Sequence, residues 1–340
     1  MIKRVVAAVL ISTLATTLPS CVTPQRPTPA QSAIGASRSQ SLAGLGYSPI
    51  NLQKTPGDTR YSGKFLVNGQ PVQLLIDSGA NSTDLDERLT NKLGLDTNNS
   101  IEVISRGALG RPVTARVGLG ALTAGDLTAA PFPFMIASRS ERHTATSRYD
   151  GQLGLDALSG LGALVDLSNG RMWIPGPPEN VSSGGYLRPL GPRKGLSFDT
   201  LKLKRTGRLP HLHVRSKWGN RQLTWVVDTG AEVTVLAKET ADKLGIQTKP
   251  SRSRIIDAAG DQAKVETAVL DQVVFDRLVV QKFQVAVVPL GKVQRTFRDS
   301  RGRPIDGIIG MDFLENSSAM LDSSSKLLYV GPPGVAPQIF

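Results

Sequence analysis

Two stretches of this chain set an aspartate, a hydroxyl residue and a glycine in a row at the end of an apolar run. One reads VQLLIDSGANSTDLDERLTNKLGL over residues 72–95, the other LTWVVDTGAEVTVLAKETADKLGI over residues 223–246. A charge after strand-forming residues such as Val226 and Val227 is costly unless something compensates it. Asp, Thr and Gly are also turn residues, so either copy alone reads equally well as a strand end. The repetition favours chemistry. Asp77 matches Asp228, Ser78 matches Thr229, Gly79 matches Gly230 and Ala80 matches Ala231, every pair 151 positions apart. Two carboxylates brought face to face cannot both ionise, so the pair holds one proton and titrates as a unit. The ionised member can act as general base toward a shared water, and the protonated member can donate to a carbonyl under attack.

The residues around the aspartates suit that task. Gly79 and Gly230 let backbone approach the carboxylates and offer N–H donors. The Ser78 and Thr229 hydroxyls can cross-link the two turns. Each copy predicts an apolar strand, the turn, and a short amphipathic segment ending in Leu-Gly, read as a helix with a glycine C-cap. A second pair of motifs follows. DGQLGLDAL at 150–158 matches DGIIGMDFL at 306–314, and ALVDL at 163–167 matches AMLDS at 319–323, now 156 apart. A loop in the second copy has gained about five residues, which surface loops tolerate. The units Leu153-Gly154 and Ile309-Gly310 are expected to pack a strand behind each turn. High Gly and Pro content, few aromatics and many short Val/Ile/Leu runs indicate an all-β protein.

The repeated Asp-[Ser/Thr]-Gly-Ala-x-x-Thr with apolar-apolar-Gly-x-Asp-x-Leu resembles the aspartic proteases, and their retropepsin-like branch most closely. The resemblance spans most of residues 55–335, once per half. It implies a two-lobed aspartic-protease (acid protease) β-barrel fold with pseudo-twofold symmetry, in which Asp77 and Asp228 are the catalytic pair. It also implies that Asp156 and Asp312 are structural, and that each lobe carries a β-hairpin flap. The matching stretches are 103–117, with its tip at Gly107 and Gly110, and 254–269, with its tip at Ala258 and Gly260. Neither stretch contains the tyrosine of a pepsin-type flap. The residue after each glycine is Ala80 or Ala231, where many pepsin-like enzymes have a hydroxyl that stabilises the carboxylate. The expectation is therefore a pair with pKa values above pepsin's and an optimum in mildly acidic to near-neutral solution.

The N-terminus and composition set the context. Residues 1–20 have a basic start and an apolar run, as in a secretory signal peptide. Leu18-Pro19-Ser20-Cys21 resembles a bacterial lipobox, which implies lipidation of Cys21, the only cysteine. Residues 21–50 then read as a lipid-anchored flexible tether, 51–176 as the first lobe, 177–193 as a linker and 194–335 as the second lobe. By resemblance to Gram-negative lipoproteins, Val22 after the cysteine implies the outer membrane, facing the periplasm of a bacterial cell envelope. The formal charge of +12 suits anionic surfaces. No nucleic-acid-binding signature and no phosphate loop is present. His211 and His213 alternate as on one strand face, but without a third ligand they make a weak metal site and read as a partly exposed pair; no metal or cofactor is expected. The expected partner is a protein or peptide substrate, and the lobes are expected to pair within one monomer. A catalytically inactive peptide- or envelope-binding protein and a purely structural envelope lipoprotein are the alternatives. Two intact Asp-[Ser/Thr]-Gly turns favour the enzyme.

Overall fold

A computed structural model describes residues 15–16, 42–98, 100–137, 148–176, 199–202, 204–205, 211–257, 259–291, 294 and 303–330. Cys21, the linker 177–193 and Ala258 lie outside these. So does the segment read as a signal, except Ala15–Thr16, whose backbone pairs with Ile255–Ile256.

The two halves run through nearly the same order of elements, the second adding a two-residue strand and a helix. In the first these are β1 (Tyr47–Lys54), β2 (Tyr61–Val67), β3 (Gln70–Ile76), β4 (Asp84–Asp86), β5 (Glu102–Arg106), β6 (Pro112–Ala124), β7 (Leu127–Ala137), β8 (Gly151–Leu153), α1 (Leu155–Gly160), β9 (Leu164–Asp166) and β10 (Arg171–Pro175). The second has β11 (Asp199–Lys202), β12 (Lys204–Arg205), β13 (Leu212–Trp218), β14 (Arg221–Val227), β15 (Val235–Ala237), α2 (Lys238–Leu244), β16 (Lys249–Ile256), β17 (Gln262–Phe275), β18 (Leu278–Val288), β19 (Gly307–Ile309), α3 (Met311–Asn316), β20 (Met320–Asp322) and β21 (Leu327–Val330). This is a mostly β fold of two lobes.

Local sequence explains most of these elements. Asn68 and Gly69 both have positive φ and close the tight β2–β3 hairpin, as a two-residue turn requires. The last three residues of β3 and of β14 are fully buried, so each strand runs through the core up to its aspartate. Helix α2 ends at Gly245, which adopts the left-handed conformation with φ 67°, as the Leu-Gly motif predicts. The first copy differs. Only a 3₁₀ turn forms at Glu87–Leu89, because Asp86 accepts the Arg88 N–H and Thr90-Asn91 are poor helix formers.

Two pairings position the site. In each lobe the strand leading to the aspartate runs parallel to the strand of the Gly-x-Asp motif. Ile76 pairs with Leu153 in β3–β8, and Val227 with Ile309 in β14–β19. The lobes themselves share one antiparallel sheet in the order β11-β21-β20-β9-β10-β1. At its centre Val165 pairs with Leu321, its own repeat partner 156 positions away, so the pseudo-twofold axis passes through this pair. The sheet also corrects the tether boundary. Strand β1 begins at Tyr47, inside the segment read as tether, and Leu42 is buried against Leu164, Trp173, Met320 and Tyr329. Residues 42–50 therefore belong to the folded body, because Tyr47–Ile50 pairs with β10 at the edge of the shared sheet and Leu42 packs on its inner strands.

Candidate active site

The two Asp-hydroxyl-Gly turns meet on the axis, and both carboxyl groups are fully buried. Asp77 Oδ1 accepts the N–H groups of Gly79 (2.8 Å) and Ala80 (2.9 Å), and Asp228 Oδ1 accepts that of Gly230 (2.8 Å). Each turn is closed by its own backbone donors. The glycines serve a second purpose across the axis. A Cβ on Gly79 would lie 2.3 Å from the Asp228 carboxyl carbon, and one on Gly230 would lie 2.5 Å from that of Asp77. Only glycine lets each turn approach the opposite carboxyl so closely.

Ser78 and Thr229 hold the turns together with four reciprocal bonds. The Ser78 N–H donates to Thr229 Oγ1 (2.9 Å) and the Thr229 N–H to Ser78 Oγ (3.0 Å). The hydroxyls donate onward, Ser78 to the Val227 carbonyl and Thr229 to the Ile76 carbonyl, both at 2.9 Å. Behind each turn, Asp156 accepts from the backbone and hydroxyl of Thr83, and Asp312 does the same for Thr234. The Gly154 and Gly310 N–H groups complete the pattern by donating to those threonine hydroxyls. Asp156 and Asp312 thus brace the turns and do not point into the site.

Two inter-lobe contacts went unread in the sequence. Arg60 is wholly buried, pairs with Asp58 (2.5 Å) and reaches across the axis to the Gly230 carbonyl (3.5 Å) and Glu232 (3.6 Å). Tyr149 donates to the same Asp58 at 3.0 Å. At the matching place His211 Nε2 bonds the Gly79 carbonyl at 2.9 Å. Arg60 and His211 are themselves 151 positions apart, so the repeat offset carried the signal. This corrects the reading of His211 and His213 as partly exposed. Both are buried, His211 against the Gly79 carbonyl of the other lobe and His213 on β13.

The flaps also touch. The tips lie at 107–111 and 257–261, with Gly110 and Gly260 both at positive φ. The Leu109 N–H donates to Asp257 Oδ2 at 2.7 Å, and Asp257 Oδ1 accepts from Ala259 (3.0 Å) and Asp261 (2.9 Å). A Cβ on Gly107 would fall 2.3 Å from Asp257 Oδ2, so the glycine of one tip makes room for the carboxylate of the other. Ala108 is buried among Ala231, Val235, Ile255 and Ile308 of the second lobe.

Burial dominates the electrostatics. It pushes the Asp77 carboxyl from an ordinary 3.8 up to about 7, against the lowering influence of the Ala80 N–H. Burial and then the neighbouring Asp77 charge push Asp228 well above the ordinary range. The direction agrees with the expectation drawn from Ala80 and Ala231, but the principal cause is desolvation, not a missing hydroxyl. Burial likewise raises Asp156, Asp257, Asp306 and Asp312. A carboxyl whose folded pKa is raised stabilises the fold fully below its unfolded pKa and loses that contribution as pH rises through the folded one. Melting temperature is therefore expected to fall between pH 5 and pH 8, by several degrees at about 2–4 °C per kcal/mol. Scanning calorimetry checks this, and Asp77→Asn/Asp228→Asn should flatten the slope. A melting temperature that climbs over this range would contradict the assignment.

A family model described as aspartyl protease matches residues 64–157 and 214–313, once in each lobe and together over half the chain. No curated protein matches the chain. Among solved structures, the crystal structure of an aspartic proteinase from Irpex lacteus is similar over 86% of this chain and 99% of that chain. The identity is 15% and the TM-score 0.47.

Proposed function

The chain belongs to the aspartyl protease family, and from that premise we propose that it is an endopeptidase whose two lobes form one intramolecular active site. The observation that carries this reading is the buried Asp77–Asp228 pair, held by matching turns and cross-linked through Ser78 and Thr229. Two adjacent buried carboxyls favour a single shared proton. The ionised member takes a proton from water as the water attacks the scissile carbonyl carbon. The protonated member hydrogen-bonds the carbonyl oxygen and supports the tetrahedral intermediate. Proton return to the amide nitrogen then breaks the C–N bond and releases two peptides. The flaps would cover an extended peptide and exclude water. A raised Asp77 favours work near neutrality, with activity lost on the acid side as the pair takes a second proton.

The test is incubation of the full-length protein, purified in detergent, with a diverse peptide mixture between about pH 4 and pH 8, the range spanned by ordinary and raised carboxyls. Cleavage sites are read by mass, with Asp228→Asn as control. Cleavage by the parent alone supports the proposal. Peptide binding without cleavage at any pH would favour the inactive binding protein instead.

We further propose that the enzyme is anchored to the bacterial envelope through a lipid on Cys21, with the outer membrane as its site and periplasmic proteins or peptides as its substrates. The support is the apolar run ending at the chain's only cysteine. Cys21→Ala is expected to shift the protein from the membrane to the soluble fraction. Retention of that variant on membranes through a high-salt wash would refute the anchor.

A further inference from the structure

Each turn gives its Oδ1 a glycine N–H, Asp77 receives a second donor from Ala80, and the aspartates differ further at Oδ2. Asp77 Oδ2 accepts the side-chain amide of Gln152 at 2.9 Å. Asp228 Oδ2 accepts no N–H or hydroxyl from the described residues and has only the Asp77 carboxyl to share a proton with. Gln152 lies on β8, fully packed, and its repeat partner on β19 is Ile308. The backbone places the two identically: Gln152 pairs with Leu75 and Asp84, and Ile308 with Val226 and Val235. The repeat thus puts an amide where its other copy has an aliphatic side chain, in surroundings where an unbonded amide is costly.

We propose that Gln152 is a positioning residue that places the single negative charge of the pair on Asp77 and the shared proton on Asp228. This rests on reading the pair as the catalytic dyad. An ionised carboxylate only accepts hydrogen bonds, so the oxygen facing an N–H donor keeps the charge. The carboxyl with an open Oδ2 carries the O–H. Other charged groups act on Asp77 from several sides. Asp84 on β4 and Asp228 disfavour its charge, Arg60 favours it, and His211 bonds the backbone of the same turn at Gly79. Of the two oxygens, the amide holds the one that the turn leaves open. Asp77 then acts as base toward water, and Asp228 faces the scissile carbonyl. A pseudo-symmetric site thereby acquires fixed roles and one direction for the peptide.

Carboxyl carbon NMR on the full-length protein with labelled aspartate tests this without relying on turnover, the two resonances being assigned with Asp77→Asn and Asp228→Asn. In the parent, Asp77 should ionise first. Gln152→Met, which keeps the volume and removes the donor, should raise that first ionisation by about one pH unit, the scale of one charge-assisted hydrogen bond. The acidic limb of kcat/KM should move up with it. Gln152→Ile/Ile308→Gln should transfer the first ionisation to Asp228. An unmoved ionisation in Gln152→Met, or first ionisation at Asp228 in the parent, overturns the proposal. A parent that titrates as stated but cleaves no peptide upholds the charge assignment and removes the endopeptidase reading, so the two fail separately.

Discussion

Asp77→Asn and Asp228→Asn are each expected to lose about a thousandfold or more in kcat/KM, within the range for removing a positioned general acid or base. The pair works with one proton shared by two carboxyls, and an amide can neither take a proton from water nor hold the shared one. Binding of a peptide with a non-cleavable isostere of the scissile bond should survive better than turnover. Folding should survive too. In Asp228→Asn the amide keeps an oxygen for the Gly230 N–H, and its nitrogen can donate to Asp77 from the place where Oδ2 of Asp228 accepts no N–H or hydroxyl from the described residues. In Asp77→Asn the amide oxygen keeps the Gly79 and Ala80 bonds. Removing one of two mutually raised carboxyls also removes a cost at neutral pH, so Tm near neutrality should equal or exceed that of the parent. Single-turnover cleavage with matched calorimetry decides it. More than a few per cent of parental activity in either variant would disprove a two-aspartate site.

The second large effect is on cohesion of the lobes. Thr229→Val removes the acceptor of the Ser78 N–H and the donor to the Ile76 carbonyl, and leaves both groups buried. Each unsatisfied group costs about 1–3 kcal/mol, so roughly 3–4 kcal/mol and a Tm lower by about 10 °C are expected. Thr229→Ser keeps both bonds and should stay within about 1 kcal/mol of the parent. Because the lost bonds cross the axis, the valine variant should also broaden or split the melting transition as the lobes uncouple. A Tm for Thr229→Val within about 2 °C of that of Thr229→Ser would show that packing, not these hydroxyl bonds, joins the turns.

Much of the fold and the centre of the site could be read along the chain. Asp77 and Asp228, the hydroxyl-glycine pairs behind them, the bracing role of Asp156 and Asp312 and the capping glycine at Gly245 all lie in motifs a few residues long. Their partners are near in sequence or appear again one repeat later. The flap tips at Gly110 and Gly260 were legible for the same reason, since a tight hairpin needs glycine where φ is positive. Local chemistry dictates such features, and duplication supplies the second copy.

The asymmetric features arise only when the lobes close on each other. Arg60 and His211 share the repeat offset, yet nothing along the chain says that each reaches the glycine carbonyl of the opposite turn. Asp257 finds its place because Gly107 of the other flap lacks a side chain, and Gln152 finds an open carboxylate oxygen that its counterpart Ile308 could not use. The first half of strand β1, up to Ile50, reads as tether in the sequence because its stability comes from the shared inter-lobe sheet, not from its own composition. Two aspartate turns and the scaffold that repeats around them were thus written in the order of residues. How the copies differ at their interface was not, because a contact between lobes depends on the position of the twofold axis, which no short stretch of chain encodes.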